Sequence, residues 1–411
     1  MSEPVPPALS SELESSPELS RRQQVLAQVD DTATLQLLQA LVRADSQNPP
    51  GNEHLAAIQI AAALTELGLE VQTVEVEPGR PNLIALLRGE SEESLLLNGH
   101  LDTVVIGARQ VWTYPPLGAE IDQGKVFGRG TCDMKGGLAA MAGALAAVVR
   151  AGVPRHRSVM FTAVIDEEVW FKGTTALIDT GALAHCTRAY IAEPTACTIA
   201  TSLQGAAEFT ARIDGVSAHT GMAELGRNAI FGMQHFTAAL AEYNSNLRGI
   251  GAKLGLTVDP SVNIGKIEGG SGVTLVPDCC TIAFDRQILP GEDLQQCVTE
   301  INQLFDAVCA KYDLSGELTL EQSFPSWQIS AANPVVTDLA KAHQLTGAGL
   351  AETTIFRAYA EIELLHRAGI PGAIYGPGSI VQAHRPDEYV HLAELAQATR
   401  TYALAIADFL A

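Results

Sequence analysis

The chain has 411 residues, enough for two domains, and with 47% hydrophobic and 18% charged residues it has the composition of a folded protein. Its 26 basic and 47 acidic residues leave a net charge of −21, which excludes nucleic acid and anionic membrane surfaces as partners. Seven cysteines, none in CxxC spacing, argue against a disulfide framework and against a thiolate zinc site, and fit a reducing, cytoplasmic compartment.

Residues 1–20 are rich in Ser, Pro and Glu and lack the basic start and apolar stretch of a targeting segment, so a disordered tail is expected there. Asp30 to Val42 and Gly51 to Leu67 read as helices, separated by the breaker-rich loop Ser46-Gln47-Asn48-Pro49-Pro50-Gly51. Strand-like runs follow at Val71–Val76, Asn82–Leu87 and Leu95–Leu97, the last running into Asn98-Gly99-His100-Leu101-Asp102. The longest apolar helical run, Gly137 to Val149, is too short to span a bilayer and reads as a buried helix. Further apolar strands end in Asp166-Glu167-Glu168, in Glu193-Pro194-Thr195 and in Gly376-Pro377-Gly378, the last followed by the segment holding His384. Strands alternating with helices predict an α/β sheet covered on both faces, with ligands beyond the carboxyl ends of its strands. Between Ala206 and Glu321 the order changes to βαββαβ, a ferredoxin-like unit inserted into the α/β domain. The expected division is a catalytic domain in two segments, 21–203 and 324–411, around an inserted domain at 204–323.

His100, Asp102, Asp133, Asp166-Glu167-Glu168, Glu193 and His384 stand at or near strand ends that one sheet would bring to one crevice. Imidazoles and carboxylates without thiolates suit zinc, manganese or cobalt. Five ligands exceed the needs of one tetrahedral ion with an open position; they suit two ions about 3.5–4 Å apart that share a carboxylate and a bridging water. Asp102 is placed to orient His100 through the ring nitrogen that binds no metal. Side chains of neighbouring residues in extended backbone diverge, so one of Glu167 and Glu168 can ligate while the other serves as general base. Residue chemistry reaches metal-assisted hydrolysis and leaves open which Glu does which.

The motifs NGHLDTV, GRGTCDMKGG, VIDEEV, IAEPT and AHRPDEY, in this order and at these separations, resemble the di-zinc exopeptidase and amidohydrolase family of acetylornithine deacetylase, succinyl-diaminopimelate desuccinylase, aminoacylase and glutamate carboxypeptidase. The resemblance runs from about Thr32 to Leu410. It implies two zinc ions, with cobalt or manganese as alternatives. Asp133 would bridge them, His100 and Glu193 would complete one site, Glu168 and His384 the other, and Asp102 would orient His100. Glu167 would be the general base. The inserted domain would be a lid that dimerises, with His219 of Gly215-Val216-Ser217-Ala218-His219 reaching a neighbouring subunit's site to stabilise the oxyanion. Arg286 would grip a substrate carboxylate, with Thr274 and Gly378 as further substrate contacts.

Glu193, where the family's aminopeptidases and dipeptidases usually have Asp, implies a deacylase or carboxypeptidase. The expected substrate is an N-acyl amino acid, or a short peptide losing its C-terminal residue. A dipeptidase or aminopeptidase of the same family and a metal-bound amino-acid-binding protein without activity are the alternatives. Two departures fall where substrate would be held. Thr274-Leu275-Val276-Pro277 replaces the family's Asn-x-x-Pro, and Arg357-Ala358-Tyr359-Ala360-Glu361 replaces its Gly-Gly-Thr-x-Asp.

Overall fold

The strand-like runs pair with one another in the computed structural model, which describes residues 17–411. Residues 1–16 of the expected tail lie outside the described residues. Its last residues belong instead to a helix, α1 (Pro17–Ala27), where Val25 is fully buried and Arg22 pairs with Asp408 at 2.6 Å. That helix was missed because only one of its apolar residues faces the core.

The chain divides into two units. The first takes in residues up to Thr201, Ile329–Thr354 and Ala360–Ala411. Helices α2 (Asp31–Arg43) and α3 (His54–Glu66) follow α1 in it, and Asp30 caps α2 by accepting from the backbone N–H of Ala33. The strands are β1 (Glu70–Glu77), β2 (Arg80–Leu87), β3 (Ser94–His100), a short hairpin of β4 (Glu120–Asp122) and β5 (Lys125–Phe127), β6 (Ser158–Val164), β7 (Cys186–Ile191) and β8 (Ile199–Leu203). The main sheet runs β1-β2-β6-β3-β7, then Gly372–Ile374, then β8. β3 lies parallel to both β6 and β7, and Gly372–Ile374 lies parallel to β7. Four strands therefore end at one edge of the sheet. All of β3 is buried, as expected of a strand covered on both faces.

Helix α4 (Lys135–Arg150) packs deep in this unit, with Leu138, Met141 and Leu145 fully buried. Its glycines permit the approach: a Cβ on Gly137 would sit 2.1 Å from the carbonyl oxygen of Ala192, just past β7. That contact brings the start of α4, and Asp133 before it, to the end of the strand that leads to Glu193. Helix α5 (Lys172–Asp179) follows the loop that carries Glu167 and Glu168.

The second unit is Ser202–Gln328 with Ile355–Tyr359. It is larger than the expected 204–323 because the distant segment packs with it: the Gln204 N–H donates to the Phe356 carbonyl at 3.1 Å, and the Tyr359 and Phe324 rings lie 4.6 Å apart. Its main elements are β9 (Gly205–Asp214), α6 (Ala229–Asn246), β10 (Val262–Gly269), β11 (Cys279–Ile288), α7 (Leu294–Tyr312) and β12 (Ser315–Phe324), in the βαββαβ order read from the sequence. The antiparallel sheet runs β10-β11-β9-β12. Phe209 and Phe284 from the sheet meet Phe236 of α6 and Phe305 of α7 in its core.

Candidate metal centre

The parallel strands deliver their chemistry to one edge. His100 is the last residue of β3, the Asp166–Glu168 loop follows β6, and Glu193 follows β7. Asp133 stands between two imidazoles. Its Oδ1 lies 3.2 Å from His100 Nε2, and its Oδ2 lies 3.3 Å from His384 Nε2. His100, Asp133 and Glu193 form one group of potential ligand atoms, all within 4.8 Å of one another, and Asp133, Glu168 and His384 form a second. His384 Nε2 is 3.1 Å from Glu168 Oε2. Glu167 belongs to neither group, and its Oε2 is 3.9 Å from His100 Nε2.

The electrostatics favour a cation. Burial pushes the carboxyls of Glu167 and Glu193 well above the usual range, and neighbouring carboxylates add to the effect. Burial also opposes a charged His100, but the Glu167 carboxylate and the nearby carboxylates of Asp102 and Asp133 outweigh it and hold the imidazole well above its ordinary pKa. Hydrogen bonds to Asp133 and Glu168 push His384 up to about 10. Glu193 Oε1 is buried without a hydrogen-bond partner, an acceptor left open in a site of oxygen and nitrogen donors. The donor set and this orphaned oxygen fit two divalent cations sharing Asp133.

Asp102 is placed differently from expectation. His100 Nδ1 donates to the backbone carbonyl of Asp102 at 2.9 Å, whereas the nearest carboxylate oxygen of Asp102 is at 3.6 Å. The carboxylate instead accepts the N–H groups of Glu167 (3.1 Å) and Glu168 (3.2 Å) and the amide of Asn48 (3.0 Å). Asp102 thus fixes the imidazole through its main chain and the glutamate loop through its side chain. Which oxygen would serve cannot be read from a Gly-His-x-Asp string.

Two proposed substrate contacts do not present themselves. Arg286 is 1% exposed, and its guanidinium donates to Glu292 at 2.6 Å and to the Tyr243 hydroxyl at 3.3 Å, so its fork is already engaged inside the second unit. The alternation of β11 carried a warning, since Ile282, Phe284, Arg286 and Ile288 all point into that core. Gly378 is buried and its N–H donates to Glu394 at 2.8 Å. It is a packing position: with φ at +82° and a would-be Cβ 2.4 Å from Cys132 Cβ, it lets its loop lie against the residue preceding Asp133. In the second unit, His219 and Thr274 are exposed on neighbouring loops, joined by the Thr220 N–H donating to the Thr274 carbonyl at 3.2 Å. His219 Nδ1 accepts the N–H of Gly221 at 3.0 Å.

Sequence reasoning passed over the supports. Asn48 donates to both Asp102 and Asp166, and Arg80 bonds Asp166 at 3.0 Å. Glu388 accepts the N–H groups of Cys132 (3.1 Å) and Asp133 (3.3 Å) while pairing with Arg129 at 2.6 Å. Arg129 and Glu388 lay inside motifs already noted, GRGTCDMKGG and AHRPDEY, where other charged residues surround them and nothing marks them as partners.

Residues 96–408 match Peptidase family M20/M25/M40. An N-formyl-4-amino-5-aminomethyl-2-methylpyrimidine deformylase of Halalkalibacterium halodurans is 29% identical, over 93% of this chain and 96% of that protein. An acetylornithine deacetylase of Aliivibrio fischeri is 30% identical, over 84% of this chain and 89% of that protein. Among solved structures, aminopeptidase PepT from Bacillus cereus shares the fold with a TM-score of 0.76 at 21% identity, covering 93% of this chain and 99% of that one.

Proposed function

The chain belongs to Peptidase family M20/M25/M40, whose members are metal-dependent hydrolases of amide or peptide bonds, and from this premise we propose that it removes a small acyl group from the nitrogen of an N-acyl amino acid or a similar amine. The observation that carries the reading is the placement of Asp133, one oxygen toward His100 and the other toward His384. His100, Asp133 and Glu193 would hold one ion and Asp133, Glu168 and His384 the other, with zinc as the expected metal. Bound there, the pair would supply Lewis-acid polarisation of the scissile carbonyl and acidification of a water.

The protein's own residues do the rest. Glu167, outside both ligand groups but beside His100, takes the proton of the attacking water and delivers it to the leaving amine. Asp102 holds the N–H groups of Glu167 and Glu168 and so sets where that base stands. His219 is the proposed oxyanion donor, acting on a neighbouring subunit. Because its Nδ1 accepts from Gly221, the neutral ring carries its proton on Nε2, which is the donor that role needs. The homodimer this requires is proposed to form through the second unit, where β10 is an exposed edge strand.

The named relatives support the acyl class, one being a deformylase and the other a deacetylase. Arg286 drops out of the proposal, since its guanidinium is internally paired. The test is hydrolysis of a panel of N-formyl and N-acetyl amino acids, N-acyl dipeptides and free dipeptides, with zinc, cobalt or manganese supplied. Turnover of the N-acyl amino acids supports the reading. Turnover confined to peptides with a free amino terminus would replace it with a dipeptidase.

A further inference from the structure

One fully buried carboxylate near the metal centre has no part in the chemistry above. Glu361 is 0% exposed, and both of its oxygens are held by neutral groups: Thr174 Oγ1 donates to Oε1 and Asn98 Nδ2 to Oε2, each at 2.6 Å. Asn98 is completed by Thr162, whose hydroxyl donates to its Oδ1 at 2.6 Å. This network reaches the proposed ligands along the backbone. Asn98 is two residues before His100 on β3, and its carbonyl accepts the N–H of Ala192, the neighbour of Glu193. Thr174 lies on α5, just after the loop of Glu167 and Glu168.

A buried carboxylate held only by neutral donors is costly to keep ionised, so it needs positive charge nearby or a proton. His100, one of the proposed ligands, stands two residues beyond Asn98 on β3, and Glu193 follows the Ala192 that Asn98 bonds. Electrostatically the group is already coupled to that region: after burial itself, the charge of Glu361 is among those that raise the carboxyls of Glu167 and Glu193.

We propose that Glu361 is a buried counter-charge for the metal centre: Asn98 and Thr174 fix it against β3 and α5, and its negative charge strengthens the binding of divalent cations by the ligands adjoining those elements. The inference rests on the metal-dependent reading above. It assigns a purpose to the departure at Arg357–Glu361, where the sequence leaves the family's usual motif but retains an acid.

Zinc affinity of the full chain, measured by competition with a chromophoric chelator, separates charge from scaffold. In Glu361→Gln the network can persist, because Asn98 can turn its amide so that Oδ1 accepts from the new amide and Nδ2 donates to Thr162. This variant should bind zinc roughly 10–100-fold more weakly, with a metal-free melting temperature no lower than wild type. Thr174→Val, which keeps the charge and loses one hydrogen bond, should melt lower but bind zinc within about threefold of wild type. Wild-type zinc affinity in Glu361→Gln, or an equal loss in Thr174→Val, overturns the inference. Should Glu361→Gln fail to fold, the equally shortened pair Glu361→Asp and Glu361→Asn carries the test. Binding at least about tenfold tighter in the Asp variant supports the proposal, and equal binding overturns it. A wild-type chain that binds no zinc overturns the metal-dependent reading together with this one, so the two failures are told apart.

Discussion

Replacing Arg129 with Met strands Glu388. Arg129 is 3% exposed and Glu388 1%, and the guanidinium donates to Glu388 Oε2 at 2.6 Å. Breaking a buried pair from one side leaves an uncompensated charge, at a cost of about 3–5 kcal/mol. Its donations to the carbonyls of Val105 and Arg385 are long, both 3.4 Å, and add little, while the loss of its position over the Trp112 ring, 5.2 Å away, adds about 0.5–1 kcal/mol. Two backbone N–H groups, those of Cys132 and Asp133, still face the stranded carboxylate and should keep the loss toward the lower end. Urea unfolding of Arg129→Met, Glu388→Gln and the double variant measures this. The double variant should lose about 1–3 kcal/mol less than the sum of the singles, because no unpaired charge remains. A loss below about 1 kcal/mol in Arg129→Met, or strict additivity, refutes the reasoning that this pair anchors the loop bearing Asp133.

Three further outcomes are expected. Glu167→Ala should cut turnover about 10²–10⁴-fold while metal content stays unchanged, and retained activity by a continuous assay removes Glu167 as the base. Burial pushes Glu361 up to about 7 from its usual 4.5, against the pull of Thr174 and His100. A carboxyl raised on folding contributes stability that is full below its unfolded pKa and lost as pH rises through the folded value. The metal-free chain should therefore lose about 3 kcal/mol between pH 4.5 and 7 through this group. Glu361→Gln should remove that part of the slope in urea unfolding under chelator, and an unchanged slope contradicts the assignment. Gly378→Ala, at φ +82° and with its new Cβ 2.4 Å from Cys132, should destabilise the chain by about 2–4 kcal/mol by thermal unfolding, and a neutral result means that the loop is free to move.

The parts of the site that could be read in advance were those that follow from strand ends. A buried apolar run ending in an acid or imidazole says both that a strand stops and which side chain it delivers, so His100, the Glu167–Glu168 loop and Glu193 were legible, and the βαββαβ insert was legible from its order. Side-chain direction in the second unit was legible in principle at Arg286, where alternation with Ile282, Phe284 and Ile288 points inward, but the functional pattern took precedence over the period of the strand. Contacts set by the main chain were not legible. The carbonyl of Asp102 on His100 and the N–H of Gly378 on Glu394 depend on backbone paths that no side-chain spacing encodes. Asn48 and Glu361 meet their partners Asp102 and Asn98 only in three dimensions, at sequence separations far beyond any local motif.

The central claim is that Asp133 is shared between two cation sites. Counting zinc per chain by atomic absorption after dialysis, for wild type, His384→Ala and Asp133→Ala, tests it most directly. Occupancies near two, one and none are predicted; an Asp133→Ala chain that still holds both ions would contradict the account.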